Sequence, residues 1–335
     1  MKINIKKLSE LSGFSAATVS NALNGKRGVN HDTAQQILAL AREYGYVASS
    51  RIQSIRLVMY RNSGEVCSDA PFFSTLIESI ENESRKNGYE TKLVNLYRQE
   101  SDYEEQVEDL LSDTSSAMLL IGTELSEEDA KPFLQAQMPL VLLDCAFENL
   151  PFQCVLMENE NSVAEAVRGL IAKGHRDIGY LHGSVRTRNF TCRANGYRRA
   201  MFEHGLPVKD EFQFEMPVSI TGAYEAFGRL LEQGAALPTA FFADNDMIAL
   251  GAMQALQKHK YRVPEDVSMI GFDDIDFSEV CAPGLTTIHV YKKELGQTAV
   301  RRLLELIREP EQAKMRIQIY NKLIERGSVA KPRAE

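Results

Sequence analysis

Ile5-Lys6-Lys7-Leu8-Ser9-Glu10-Leu11-Ser12-Gly13-Phe14-Ser15-Ala16-Ala17-Thr18-Val19-Ser20-Asn21-Ala22-Leu23-Asn24-Gly25 is the stretch on which the fold turns. Ile5, Leu8 and Leu11 recur at helical spacing and stop at Gly13, a residue suited to the left-handed backbone that ends a helix. Ser15 is placed to cap a second helix by accepting the Thr18 backbone N–H, with Val19 and Leu23 as the buried face. Asn24-Gly25 breaks that helix. Asn30 then caps a third, whose apolar positions Ile37, Leu38, Ala41 and Tyr44 run to a stop at Gly45. Two short helices joined by a tight, glycine-containing turn make a helix-turn-helix pattern within an all-α unit over residues 1–46.

Outward from that unit the period changes. Strand-like runs at Ile55–Tyr60, Thr91–Leu96, Ala117–Ile121, Leu140–Leu143, Asp177–Leu181, Thr239–Ala243, Val267–Phe272 and Thr286–Val290 alternate with helical stretches such as Phe73–Lys86, Ser162–Lys173, Asn195–His204 and Lys292–Ile307. Such alternation predicts parallel βαβ units with helices on both sheet faces. About 280 residues is large for one such sheet, so two lobes with a cleft are expected, with ligands at the carboxyl ends of strands.

Composition narrows the class. The 335 residues are 44% apolar and 25% charged, a globular balance. No apolar run approaches the roughly 18 residues of a membrane span, and no apolar signal core opens the chain, which predicts a cytoplasmic protein. The five cysteines show no Cys-x-x-Cys pair, which suits reduced thiols better than a disulfide frame or zinc site. Net charge is −8 overall, yet residues 1–50 carry six basic residues against three acidic ones; this +3 head sits on a −11 body. A cationic head on an acidic carrier suits a polyanion-binding module. Nucleotide-binding, zinc-protease and nucleophile-elbow motifs are absent, the six histidines lack ligand spacing, and no cofactor or metal is expected.

The quoted stretch, together with Tyr44-Gly45-Tyr46, resembles the headpiece of the lactose-repressor/galactose-repressor family. The body repeats the resemblance in order: Ala70-Pro71-Phe72-Phe73, Lys173-Gly174-His175-Arg176, Arg193-Ala194-Asn195-Gly196-Tyr197, Phe242-Ala243-Asp244-Asn245-Asp246, Gly271-Phe272-Asp273-Asp274 and Glu325-Arg326-Gly327-Ser328. The resemblance implies a DNA-binding transcription regulator, read as a repressor with activation left open. Its α/β effector domain would be two-lobed and periplasmic-binding-protein-like, built on two parallel doubly wound sheets. It further implies one lobe from 55–156 and 288–314 and the other from 157–287 and 315–331. The implied partners are a near-palindromic double-stranded operator, a small carbohydrate-class effector and a second copy of the chain. A sugar-binding transport protein or sugar-acting enzyme without a DNA role is the alternative.

By position in that family, Ala16, Ala17 and Asn21 would read base edges, with Ser15, Thr18 and Ser20 toward phosphate. Lys6, Asn24, Lys26 and Arg27 are further phosphate candidates. Alanines offer only methyl contacts, although their helix propensity accounts for them equally well; Asn21 can pair bidentately with adenine. Many relatives have arginine at Asn21, so a half-site without their guanine preference is expected. Relatives also carry a hinge helix where this chain has only the linker 47–54, which spans at most about 28 Å. Less operator bending is expected: Ile52 could serve as an apolar wedge, but a simple linker is the preferred reading. For the effector, the resemblance implies Phe73 for stacking and Asp144, Arg193, Asn245 and Asp273 for hydroxyls; Asn245 and Asp273 also suit caps or turns. Arg186 and Arg188 would favour an anionic effector if they face the cleft.

Overall fold

The computed structural model describes residues 5–23, 28–44, 52–66 and 71–333. Helices α1 (Ile5–Ser12), α2 (Ala16–Leu23) and α3 (His31–Glu43) form the N-terminal unit. Gly13 follows α1 with φ +73°, a conformation that favours glycine. The Ser15 hydroxyl accepts the Thr18 N–H at 3.0 Å, and Asn30 accepts the Thr33 N–H at 2.7 Å, so both predicted caps are present. Leu8, Val19, Ala22, Leu23, Ile37 and Ala41 close the core. Leu11, grouped with Ile5 and Leu8 on spacing, is 40% exposed. Six residues of helix rotate it about 120° away from Ile5. Tyr44 lies past the end of α3 and is also exposed.

The body opens with β1 (Ser54–Arg61), α4 (Pro71–Lys86), β2 (Glu90–Tyr97), α5 (Tyr103–Ser112), β3 (Ser116–Ile121), α6 (Glu127–Ala130), β4 (Leu140–Leu143) and β5 (Cys154–Met157). It continues through α7 (Glu160–Ala172), β6 (Ile178–Gly183), α8 (Arg188–Glu203), β7 (Gln213–Met216), α9 (Ile220–Glu232), β8 (Ala240–Ala243) and α10 (Asp246–Lys258). The last elements are β9 (Ser268–Asp273), α11 (Asp276–Val280), β10 (Thr286–His289), α12 (Lys292–Arg308), β11 (Arg316–Ile319) and β12 (Lys322–Ile324). Two six-stranded sheets result, ordered β2-β1-β3-β4-β5-β11 and β7-β6-β8-β9-β10-β12. Every pairing is parallel except β10 with β12.

The strand period of two divides each strand between the sheet faces. Ile55, Leu57 and Met59 enter one core with Leu119, Ile121, Val141 and Leu143, while Val58 and Tyr60 enter another with Met118, Leu120 and Leu142. The first of these cores continues into the second lobe through Val163, Val167, Tyr197 and Phe272, so one apolar cluster runs through both lobes. Helix α12 lies close on α4. A Cβ at Gly296 would stand 2.7 Å from the Ser79 hydroxyl, which donates to the Lys293 carbonyl at 2.7 Å.

The chain passes between sheets at 158–159, 290–291 and 320–321. The lobe boundaries expected from sequence therefore need correction. Residues 316–319 pair with Cys154–Met157 in the first sheet, not the second, and 288–289 stay in β10 of the second. Parallel pairing with the otherwise open edge of β5 holds 316–319 on the first lobe. Ile52 packs against the core that runs through the first lobe, and the Gln53 N–H donates to the Ser115 carbonyl at 2.9 Å. Ile52 is thus an anchor of the first lobe, not a free wedge; linker residues 47–51 lie outside the described residues.

Candidate functional site

In the N-terminal unit the buried side of α2 is fixed by Val19, Ala22 and Leu23, which leaves Ser15, Ala16 and Ala17 exposed at its start. Thr18, Ser20 and Asn21 are half-buried. Thr18 is drawn into the cap, its hydroxyl 2.8 Å from that of Ser15. Lys6 is exposed on α1, and Lys7 beside it pairs with Glu10 at 2.9 Å. The first turn of α2 therefore offers two methyl groups and two hydroxyls to whatever approaches it. Asn24, Lys26 and Arg27 lie outside the described residues.

In the body, Phe73, Asp144, Arg193, Asn245 and Asp273 line one cavity between the lobes, of about 30 Å³. They come from the start of α4, the end of β4, α8, the residue before α10 and the end of β9. Asp144 and Asp273 adopt φ +62° and +110°, sparsely populated conformations for residues with a Cβ. Asp144 is buried and accepts hydrogen bonds from the Thr123 hydroxyl at 2.5 Å and the Asn189 amide at 2.9 Å. Burial pushes its carboxyl up to about 6 against the opposing pull of Thr123, Arg193 and Asn189.

Arg193 stands at the centre. Its guanidinium lies 3.5 Å from the Phe272 ring centroid, donates to Asn159 Oδ1 at 2.9 Å and the Asp244 carbonyl at 2.5 Å, and faces Asp273 Oδ1 at 3.6 Å. Burial raises the Asp273 carboxyl, with Arg193 and Lys292 opposing. Asn245 caps α10 by accepting the Ile248 N–H at 3.0 Å. Its amide NH2 has no hydrogen-bond partner among the described residues and stays available to a ligand. Phe73 meets Phe72 edge-on at 5.2 Å, and both line the cavity. Asp274 turns away from Asp273, held by His289 and Arg326 at 2.7 Å each.

Thr123, Thr187, Asn189 and Phe190 line the same cavity without any sequence signal of their own. They stand alone between motifs; only the resemblance of neighbouring Arg193 could have pointed to Asn189. Arg186 and Arg188 do not line the cleft. Arg186 pairs with buried Asp244 at 3.1 Å and Arg188 with exposed Glu148 at 3.3 Å, which removes the argument for an anionic effector. Among the described residues no cluster of three His, Cys, Asp or Glu could hold a metal, and no helix is long and apolar enough to cross a membrane.

The chain matches, over residues 167–329, the family described as periplasmic binding protein-like domain. It is 33% identical over 97% of its length and 98% of the relative's to the HTH-type transcriptional repressor PurR of Haemophilus influenzae (strain PittEE). It is 31% identical, over 97% of its length and 99% of the relative's, to the ribose operon repressor of Escherichia coli (strain K12). Among solved structures, a lac repressor dimer bound to operator shares 24% identity and superposes with a TM-score of 0.73 over 98% of this chain and all of the other. A regulator of Enterococcus faecium with bound ribose shares 26% identity at a TM-score of 0.70, over 83% of this chain and all of that one.

Proposed function

Because the chain belongs to the lactose-repressor/galactose-repressor family of transcription regulators, we propose that it binds a near-palindromic operator as a homodimer and that a carbohydrate-class ligand between its lobes controls the binding. Regulator rather than enzyme is its class, since the curated relatives matched over nearly their whole length are transcriptional repressors. The observation that carries the effector reading is the convergence of Phe73, Asp144, Arg193, Asn245 and Asp273, distant in sequence, on one cavity. An aromatic plane beside two carboxylates, a guanidinium and an amide is the donor and acceptor set that a polyol ring requires. The Enterococcus faecium regulator holds ribose, and another neighbour, similar in fold, is a regulator–cellobiose complex.

For DNA, Ser15, Ala16, Ala17, Thr18, Ser20 and Asn21 form the reading edge of α2, with Lys6 on the flank and Asn24, Lys26 and Arg27 as phosphate partners. Two headpieces would read two half-sites. The cavity is small, about 30 Å³, so the lobes are expected to part to admit a sugar and to close on it. The ligand then acts through its different affinity for the two lobe arrangements. Binding-site selection from random duplexes, followed by gel shift with ribose, cellobiose and their phosphates, tests the reading. A selected palindrome whose binding changes with one sugar supports it. No preference over random competitor, with or without sugars, overturns it.

A further inference from the structure

Apart from the cleft, a groove of about 320 Å³ opens beside the hinge. Leu156 and Gln318 of the first lobe form one wall, Arg188, Cys192 and Arg199 of α8 the other, and the crossing segment from Glu158 the floor. Its charges are unequally matched. Arg199 is held by Glu160 at 2.8 Å and Asn161 at 2.7 Å, and Arg188 by Glu148. Glu158 is only 8% exposed, yet its carboxylate accepts one hydrogen bond, from the Asn161 N–H at 3.2 Å, and has no cation within 4.0 Å among the described residues. The carboxylate of this mostly buried residue, held by a single backbone N–H, is an acceptor open to the groove. The Gln318 amide, exposed on the facing wall, makes no hydrogen bond among the described residues.

We propose that this groove is a second ligand site, for a small hydroxylated primary amine whose ammonium pairs with Glu158 and whose hydroxyls meet Gln318. Such a ligand touches both lobes and the segment that joins them. The Glu158 N–H already donates to the Ile319 carbonyl at 2.9 Å, and the Glu158 carbonyl accepts from Asn321 at 2.6 Å, so two of the three crossings are tied at this residue. The next residue, Asn159, donates to Asn189 at 3.1 Å and accepts from Arg193 at 2.9 Å, and Asn189 donates to Asp144. The groove thus communicates with the cleft through a continuous run of hydrogen bonds. An amine bound there biases the same lobe arrangement that the cleft ligand selects.

Calorimetric titration of the full chain with glucosamine, with glucose and N-acetylglucosamine as uncharged controls, tests this. Glucosamine is expected to bind the cleft variant Arg193→Met within about threefold of wild type, the small change reflecting the lost Arg193–Asn159 bond, and Glu158→Gln to weaken it about tenfold or more, as loss of a charged hydrogen bond requires. The controls are expected to give no heat with Arg193→Met. Glucosamine binding that survives Glu158→Gln and disappears in Arg193→Met assigns the amine to the cleft and overturns the proposal, as does no binding to wild type at millimolar concentration. Should Arg193→Met fail to fold, hydrogen exchange on wild type decides. Glucosamine protection over 158–161 and 192–199 supports the groove, and protection confined to 271–275 overturns it. Failure of sugars to affect operator binding would count against the cleft reading and leave these outcomes unchanged.

Discussion

Asp144 is the residue at which folding and the proposed effector binding would share a proton. Its carboxyl, raised to about 6 by burial from an unfolded value near 3.8, keeps a proton in the native state that the unfolded chain has released. Stability from this group is therefore present below about pH 4 and is lost as pH rises toward about 6, because the native state binds more protons in that window. Asp246, pushed up to about 7 chiefly by burial, acts with the same sign. A sugar hydroxyl donating to Asp144 favours the ionised form. Effector binding is thus expected to release protons near pH 6 and to tighten from about pH 5 to about pH 7. Calorimetry in buffers of different ionisation enthalpy reads this directly, and Asp144→Asn should abolish the proton release. On the DNA side, Asn21→Arg exchanges an adenine-pairing amide for a guanine-pairing fork. A repeated binding-site selection should move that base pair toward guanine by about tenfold or more.

At the scale of elements, α8 depends on one glycine. A Cβ at Gly196 would stand 2.2 Å from the Glu160 carbonyl oxygen at the start of α7, backbone that cannot rotate aside. Gly196→Ala is expected to cost about 1–3 kcal/mol by forcing the helices apart. Because α8 carries Asn189 and Arg193, effector affinity should fall with stability; thermal denaturation and calorimetry on the same variant check both. The elements were unevenly legible in the sequence. Runs such as Leu140–Leu143, buried on both faces, announced themselves, and so did the capped helices of the N-terminal unit. Strands β7, β11 and β12 are short, half-exposed and at or next to sheet edges, so burial imprints little apolar pattern on them. Helix α5 buries only Tyr103, Val107 and Leu110 beneath an acidic surface. The cleft was read from motifs, which place Arg193 and Asp273 but say nothing of Thr123 or Phe190, contributed singly by tertiary approach.

At the scale of the whole molecule, the first lobe presents β2 as an edge strand with Leu93 51% and Tyr97 40% exposed, and the second presents Phe277 and Val280 on α11 at 55% and 77%. Exposed apolar side chains on both lobes suit pairing with a second copy of the chain. Sedimentation velocity is expected to report a dimer. A Leu93→Lys variant should shift it toward monomer and weaken operator binding more steeply than the binding of sugar. The threading of the chain carries a separate implication. Residues 5–41 supply the headpiece core, whereas each lobe is assembled from two separate stretches, its last strand returning after the chain has crossed to the other lobe. One genetic exchange downstream of α3 can graft this reader onto a foreign sensor intact. No single exchange inside the sensor can do the same, because it would strand β11 or β12 on the wrong partner. Ancestry of the two parts is free to diverge only at that one seam.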